Sequence, residues 1–308
     1  MIIETVTSQS RLGFIGLGYL GSRVARRLAA AGFPMVVYDR DREKTKEFAA
    51  LGATVAPNPE TLAEEADVVL SCLSSDAAVK SVYLGTGRVL ESARPGTRIV
   101  ELSTIAPETS RLVHDAAATF RVSMLDVAIS GSTPAAEAGA LTLFGGGERK
   151  VFESVQRIFA PIASQWFYMG TSGSGVAMKL VVNTLLGLGM QSIAEAVALG
   201  SGLGLPRELL LDVLAKTAVV APAHAGKLAT AKRNDYAPQC PIRLMHKDFG
   251  LILTAAAQCG LSMPTTEAAA VVNALEAETG GEEDFSAVIR RMEQHVGLEQ
   301  AVPPVAWE

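Results

Sequence analysis

The sequence predicts an α/β protein, with a doubly wound, mostly parallel sheet domain followed by an all-helical domain. Three observations carry this. Short apolar runs alternate with amphipathic stretches through the first half. A glycine-rich turn sits where the first run meets the first helical stretch. After about residue 170 the alternation stops and only helical periodicity remains. In order, the runs at 12–16, 35–39, 68–72, 98–102 and 122–127 read as buried strands. Helical stretches at 23–31, 42–51 and 107–118 lie between them, the pattern of βαβ units. A further strand at 141–144 runs into Gly145-Gly146-Gly147, read as a turn rather than a phosphate loop because no Lys-Ser/Thr follows. Helices are expected at 176–203, 206–218, 248–259, 265–278 and 285–294. The domains are placed at 11–172 and 173–297. A long linking helix starts at about 174, and a tail covers 298–308 with Pro303 and Pro304.

Close to half of the 308 residues are apolar, enough for a large core. The net charge is −5 and no Lys/Arg run occurs, so no nucleic-acid partner is expected. Cys72, Cys240 and Cys259 are far apart and form no CxxC pair, which reads as reduced thiols in a cytoplasmic protein. His114, His224, His246 and His295 show no ligand spacing, so no metal site is expected. The opening MIIETVTSQS has neither the basic nor the apolar region of a signal peptide. The apolar stretch 176–205 is interrupted by Lys179, Asn183, Gln191 and Glu195, favouring a buried helix over a membrane span.

The first run is followed by Gly16-Leu17-Gly18-Tyr19-Leu20-Gly21 and then a helix. G-x-G-x-x-G alone is a weak signal, since glycine-rich turns arise by chance. Its context is specific: it follows the first strand, opens a helix, and the next strand ends in Asp39, 18 residues past Gly21. Gly16 permits the tight turn, Gly18 lets backbone approach a pyrophosphate, and Gly21 lets helix and strand pack closely. The helix N-terminus adds free N–H groups and a positive dipole end. This is a Rossmann dinucleotide site. Asp39 is the candidate ligand for the ribose hydroxyls and would repel a 2′-phosphate, which favours NAD. Arg40 and Arg42 leave NADP open, because either could pair with that phosphate; their alternative is a solvated helix start.

Four further segments stand out. One is Ser103-Thr104-Ile105-Ala106-Pro107-Glu108-Thr109, where Thr104 either touches the nicotinamide end or belongs to a helix cap. The second is Asp126-Val127-Ala128-Ile129-Ser130-Gly131-Ser132-Thr133-Pro134-Ala135-Ala136-Glu137-Ala138-Gly139. The third is Gly173-Ser174-Gly175-Val176-Ala177-Met178-Lys179-Leu180-Val181-Val182-Asn183, with Lys179 and Asn183 on one helix face. By itself that lysine reads as snorkelling out of an apolar stretch. The fourth is Arg243-Leu244-Met245-His246-Lys247-Asp248-Phe249. Together with the glycine motif, in this order and at these separations, the segments resemble the β-hydroxyacid dehydrogenase family from about residue 12 to 297. That family includes 3-hydroxyisobutyrate dehydrogenase, tartronate semialdehyde reductase and the glyoxylate/succinic semialdehyde reductases. Ser132 in place of a second glycine, and Val182 in place of a first asparagine, are closer to the semialdehyde reductase branch.

The resemblance implies an NAD(P)-dependent oxidoreductase interconverting a small hydroxy acid and its semialdehyde. It assigns Lys179 as the acid/base and Asn183 as the group that orients the reacting oxygen. Ser130, Gly131 and Ser132 would grip the substrate carboxylate, and Lys247 would reach the cofactor and substrate. Asp248 is expected to cap the following helix or pair with a lysine, and His246 to be a bystander. The resemblance further implies an active site in the cleft between the domains and a homodimer or homotetramer. Cys240 stands where the family has phenylalanine, so a roomier pocket and four-carbon or branched semialdehydes are expected. Two rival readings are a catalytically inactive nucleotide-binding adaptor and an imine reductase. The presence of Lys179 argues against both.

Overall fold

In the computed structural model, residues 4–294 and 296 are described; His295 and the tail at 298–308 lie outside them. The chain divides into two compact units, the first reaching Val181 and the second beginning at Val182.

The first unit is one eight-stranded sheet with strand order β3-β2-β1-β4-β5-β6-β7-β8. Its strands are β1 (Leu12–Ile15), β2 (Met35–Tyr38), β3 (Thr54–Val55), β4 (Val68–Ser71), β5 (Arg98–Glu101), β6 (Ser123–Ser130), β7 (Leu141–Gly146) and β8 (Ala163–Gly170). All neighbours are parallel except β6 and β7. Its helices are α1 (Tyr19–Ala30), α2 (Glu43–Ala50), α3 (Pro59–Glu65), α4 (Asp76–Leu84), α5 (Val89–Ser92), α6 (Pro107–Thr119), α7 (Thr133–Ala138), α8 (Arg149–Ser154) and α9 (Gln156–Phe159). The central strands β1 and β4 are buried along their whole length, and two separate apolar cores form. That is why these strands read as near-continuous apolar runs instead of alternating, with the polar Ser71 only at the end of β4.

The strand order places the end of β1 beside the end of β4, with β2 on its other side. The order of winding reverses here: β1 leads outward to β2 and β3, then the chain crosses back to lay β4 parallel on the other side of β1. A doubly wound sheet opens its ligand crevice at such a switch point, outside the carboxyl ends of the strands.

Several expectations change. α1 begins at Tyr19, earlier than expected, so Tyr19, Leu20 and Gly21 form its first turn. β6 continues to Ser130, because Ala128 and Ile129 pair with Phe144 and Leu143. Gly145 and Gly146 belong to β7 rather than a turn. Packing requires them: a Cβ on Gly145 would lie 2.1 Å from the Phe152 ring, and one on Gly146 would lie 2.8 Å from the Asp126 carboxylate. β8 was not expected, although Trp166-Phe167-Tyr168-Met169 is a continuous aromatic and apolar run; its side chains alternate between half-buried and exposed, as on an edge strand.

The helix α10 (Ser174–Gly202) runs from the first unit into the second. Asp126, in the middle of β6 and fully buried, fixes its start by accepting hydrogen bonds from the Gly173 N–H (2.8 Å) and the Val176 N–H (3.0 Å). By length and composition α10 could cross a membrane. Its buried residues nevertheless include Lys179, Asn183 and Gln191, as in a core helix.

The second unit continues with α11 (Arg207–Leu214), α12 (Pro222–Lys232), α13 (Ile242–Gln258), α14 (Pro264–Gly280), a 3₁₀ turn (Phe285–Ala287) and α15 (Val288–Gln294). A buried pair braces it: Lys227 Nζ lies 2.6 Å from Asp284 Oδ2, which also accepts the Gln239 and Cys240 N–H groups at 3.0 Å. α13 begins at Ile242, well before the expected 248, with Pro241 at its N-cap. Asp248 therefore lies inside the helix and caps nothing.

Candidate active site

The glycine turn does what its sequence demands. Gly16 has φ +94°, and a Cβ there would lie 2.4 Å from the Cys72 carbonyl oxygen. A Cβ on Gly21 would lie 2.1 Å from the Gly16 carbonyl oxygen. Gly18 is different: nothing lies within 4 Å of its would-be Cβ. Its openness is directed outward, at the start of α1, where Gly18 is the N-cap and no side chain caps the helix. The first-turn N–H groups have no partners within the helix, so their donors face the same open space. A dinucleotide pyrophosphate fits this cradle.

Asp39 follows β2 and turns back to the glycine turn. Its carboxylate accepts from the Leu17 N–H (2.7 Å) and the Asp41 N–H (2.8 Å). The Lys44 ammonium is 3.8 Å away. Arg42 is committed elsewhere: its guanidinium donates to the Ala56 and Pro57 carbonyls and lies over the Tyr38 ring. Arg40 is exposed. Of the two arginines considered for a 2′-phosphate, Arg40 alone remains without such a commitment.

Thr104 is half-buried in the loop after β5. The N-cap of α6 is Ala106, so the capping alternative for Thr104 does not hold. Ser130 ends β6, and Gly131 follows with φ +132°. Glycine is favoured at 131 because φ +132° is a conformation that side-chain-bearing residues rarely adopt. Ser132 is the N-cap of α7, yet its hydroxyl makes no capping bond. The glycine turn, Asp39, Thr104 and Ser130–Ser132 all lie at the carboxyl ends of strands of one sheet.

Lys179 lies on α10 and is 8% exposed, so it does not snorkel outward. One turn further, in the second unit, Asn183 is 2% exposed. Its Nδ2 donates to Asp248 Oδ2 at 2.6 Å. A carboxylate can only accept, so the amide orientation is fixed with Nδ2 toward Asp248. Asn183 Oδ1 is then left buried, with no hydrogen-bond partner among the described residues. Lys247 Nζ is 3.0 Å from Asp248 Oδ1, an ion pair without hydrogen-bond alignment, which fulfils the expected pairing with a lysine. His246 is exposed. Sequence reasoning missed the Asn183–Asp248 bond, because the two residues are 65 apart in the chain. It also missed a buried cluster at the ends of β4 and β5, formed by Ser71, Tyr83 and Glu101.

Comparison with known proteins agrees with this geometry. Residues 11–170 match the NAD-binding domain of 6-phosphogluconate dehydrogenase, and residues 173–292 match the NAD-binding domain of NADP-dependent 3-hydroxyisobutyrate dehydrogenase. The 2-(hydroxymethyl)glutarate dehydrogenase of Eubacterium barkeri is 33% identical over 94% of this chain and 96% of its own. The chain belongs to the β-hydroxyacid dehydrogenase family. Glyoxylate/succinic semialdehyde reductase 1 of Arabidopsis thaliana is 32% identical over 90% of this chain and 96% of its own. The structure of Mycobacterium tuberculosis 3-hydroxyisobutyrate dehydrogenase with L-serine superposes with a TM-score of 0.81 at 30% identity, covering 92% of this chain and 99% of that one. Two other matches bear on the rival readings. The nuclear factor N-PAC of Drosophila melanogaster is 32% identical over 85% of this chain but only 44% of its own length. The imine reductase of Myxococcus stipitatus, at 17% identity, shares the fold alone.

The glycines separate into structural and ligand-facing roles. Gly21→Ala is expected to destabilise the protein by roughly 1–3 kcal/mol, because helix and turn must move apart. Gly18→Ala has room and an ordinary φ of −73°, so stability should stay within about 1 kcal/mol of the parent. Its dinucleotide affinity should fall at least about tenfold, because the new methyl occupies the approach path. Thermal unfolding and NADH titration of both variants check this. Parental NADH affinity in Gly18→Ala would remove the pyrophosphate from that turn.

Proposed function

We propose that the chain interconverts a small hydroxy acid and its semialdehyde with a nicotinamide dinucleotide, and that Lys179 is the acid/base. The observation that carries this reading is a buried lysine one helical turn from a buried asparagine whose amide orientation is fixed by Asp248. A chain using this fold only to hold a nucleotide gains nothing from burying an ammonium, which costs several kcal/mol in lost hydration. The imine reductase reading rests on a likeness of fold alone.

When bound, the nicotinamide supplies or accepts the hydride. The chain's own residues do the rest. The Ser130 hydroxyl and the Gly131 N–H hold the substrate carboxylate, each charge-assisted bond contributing about 1.5–3 kcal/mol. Asn183 Oδ1 can only accept, so it meets the hydroxyl of the hydroxy acid and not the carbonyl oxygen of the semialdehyde. Lys179 gives its proton to the carbonyl oxygen during reduction and takes it back during oxidation. Lys247, paired with Asp248, adds positive charge beside that amide.

A four-carbon or branched substrate is part of the proposal. Cys240 is smaller than phenylalanine, and the Eubacterium relative is named for a branched dicarboxylate. NAD is the preferred cofactor, because Asp39 carries negative charge where a 2′-phosphate would lie. A homo-oligomer is proposed from the exposed Leu185 and Leu199 on α10, Leu203 just after it, and Leu209 and Val213 on α11. A cytoplasmic setting belongs to the same reading and rests on the cysteine spacing; fractionation finding the protein in an oxidising compartment would overturn it.

A screen of semialdehydes with NADH and NADPH tests the activity. Succinic and methylmalonate semialdehydes should be reduced, and a neutral aldehyde of similar size should be roughly 10²-fold poorer in kcat/KM. Lys179→Ala should lose about 10²–10⁴-fold in turnover while NADH binding is kept. A variant turning over at the parental rate would take Lys179 out of the mechanism.

The same assay reads cofactor choice. NADH should exceed NADPH in kcat/KM, and Asp39→Asn should narrow the gap. A parental preference for NADPH would mean that Arg40 outweighs Asp39.

Sedimentation equilibrium should find at least a dimer, and Leu185→Glu with Leu199→Glu should shift it toward monomer. A monomeric parent at micromolar concentration would contradict the oligomer.

A further inference from the structure

Glu101 is the last residue of β5, and its side chain is completely buried. Among the described residues the groups facing its carboxyl are the Ser71 hydroxyl at the end of β4, the Tyr83 hydroxyl from α4, and the hydroxyl and N–H of Ser103. Tyr83 is the one titratable group in that set, and no cation is part of it. Burial pushes the carboxyl up to about 7, and burial likewise raises the Tyr83 phenol. A buried carboxyl without a cation is costly to keep, so its position calls for a reason.

Its neighbours connect it to the cofactor side of the sheet. Ser103 donates its N–H to Glu101 Oε1 at 2.8 Å. The Ser103 hydroxyl accepts from the Leu73 N–H at 2.7 Å. The Leu102 N–H bonds the Ser71 carbonyl at 2.8 Å, and the Ala106 N–H bonds Asp76 Oδ1 at 2.9 Å. These bonds clamp the loop after β4 to the loop after β5. The first contains Cys72, whose carbonyl abuts Gly16; the second contains Thr104. Both loops leave the carboxyl edge of the sheet next to the glycine turn, where a doubly wound sheet receives its dinucleotide.

We propose that Glu101 is a positioning residue for the nicotinamide end of the cofactor: through Ser71, Tyr83 and Ser103 it fixes the loops after β4 and β5, and its carboxyl favours the cationic oxidised ring over the neutral reduced one. The proposal rests on the dinucleotide reading of the glycine turn. Once ionised, the buried carboxylate has no internal cation to satisfy it, so the positive charge of oxidised nicotinamide is its best available partner. A protonated carboxyl has no such preference. Binding of the oxidised cofactor should therefore expel a proton near neutral pH, whereas binding of the reduced cofactor should not.

The test is the ratio of NADH to NAD dissociation constants between pH 5.5 and 8.5, for the parent and for Glu101→Gln. In the parent the ratio should shift several-fold toward NAD as pH rises through about 7, the direction a newly ionised carboxylate imposes on a cationic ring. In Glu101→Gln it should be flat. Ser71→Ala, which loosens the clamp but keeps the carboxyl, should weaken both cofactors and retain the pH-dependent shift. Stability without cofactor gives an independent check. A carboxyl raised from 4.5 to about 7 holds its proton more tightly when folded, so its contribution is full below about 4.5 and is lost as pH rises through about 7. The thermal midpoint of the parent should fall over that window more than that of Glu101→Gln. A pH-independent ratio in the parent, or the same shift in Glu101→Gln, would overturn the proposal. A parent that binds neither cofactor would overturn the dinucleotide reading itself.

Discussion

The carboxylate of Asp126 holds together the parts of the molecule that matter most. It is buried in the middle of β6 and accepts the N–H of Gly173, just before α10, and that of Val176 in the helix's first turn. Four residues further along the same strand is Ser130. One turn beyond Val176 on the same helix is Lys179. The two segments given to carboxylate binding and to proton transfer are thus joined by one side chain. Burial raises the Asp126 carboxyl, while the Gly173 and Val176 N–H groups and the Ser110 hydroxyl pull it back. Without those donors the carboxylate would be an unsatisfied buried charge, which a fold of marginal stability cannot carry. The glycines around it follow from the same constraint. A Cβ on Gly175 would lie 2.6 Å from the Asp126 carbonyl oxygen, and Gly173, whose N–H reaches the Asp126 carboxylate, has φ +88°.

The pattern repeats elsewhere. Asp39 takes the Leu17 N–H and so ties the end of β2 to the glycine turn. Asp284 takes the Lys227 ammonium and two N–H groups just before α13. Asp248 takes the Asn183 amide and thereby decides which of its two ends is left over. In each case a carboxylate with limited exposure orients a loop, a helix start or a side chain through donors that cannot rearrange cheaply. The cofactor chemistry needs that kind of order, because an acid/base misplaced by about 1 Å can lose roughly 10²-fold in rate.

Some of this could be read from the sequence, and the boundary is physical. The glycine turn was legible because each glycine answers a local steric demand. Gly16, Gly18 and Gly21 have three different environments, and the motif spacing encodes all three. The central strands were legible because they are near-continuous apolar runs, with polar residues such as Ser71 and Glu101 only at their ends. β8 was passed over although Trp166–Met169 are all aromatic or apolar, because it lies at the sheet edge and alternates half-buried with exposed positions instead of being buried throughout. The start of α13 was misplaced because Pro241, Ile242 and Arg243 give no capping signal; Lys247 and Asp248 then looked like a helix entrance rather than its interior. Lys179 and Asn183 were found through their four-residue spacing and the family resemblance. Glu101, Ser71 and Tyr83 were invisible, since only the parallel pairing of β4 with β5 brings positions 71 and 101 together.

A structure of the ternary complex with NAD and a four-carbon hydroxy acid tests the account most directly. It should place the substrate carboxylate on the Ser130 hydroxyl and Gly131 N–H, and the reacting oxygen within hydrogen-bond reach of Lys179 Nζ and Asn183 Oδ1. The pyrophosphate should lie against Gly18. A substrate seated with its carboxylate away from Ser130 and its reacting oxygen away from Lys179 would contradict it.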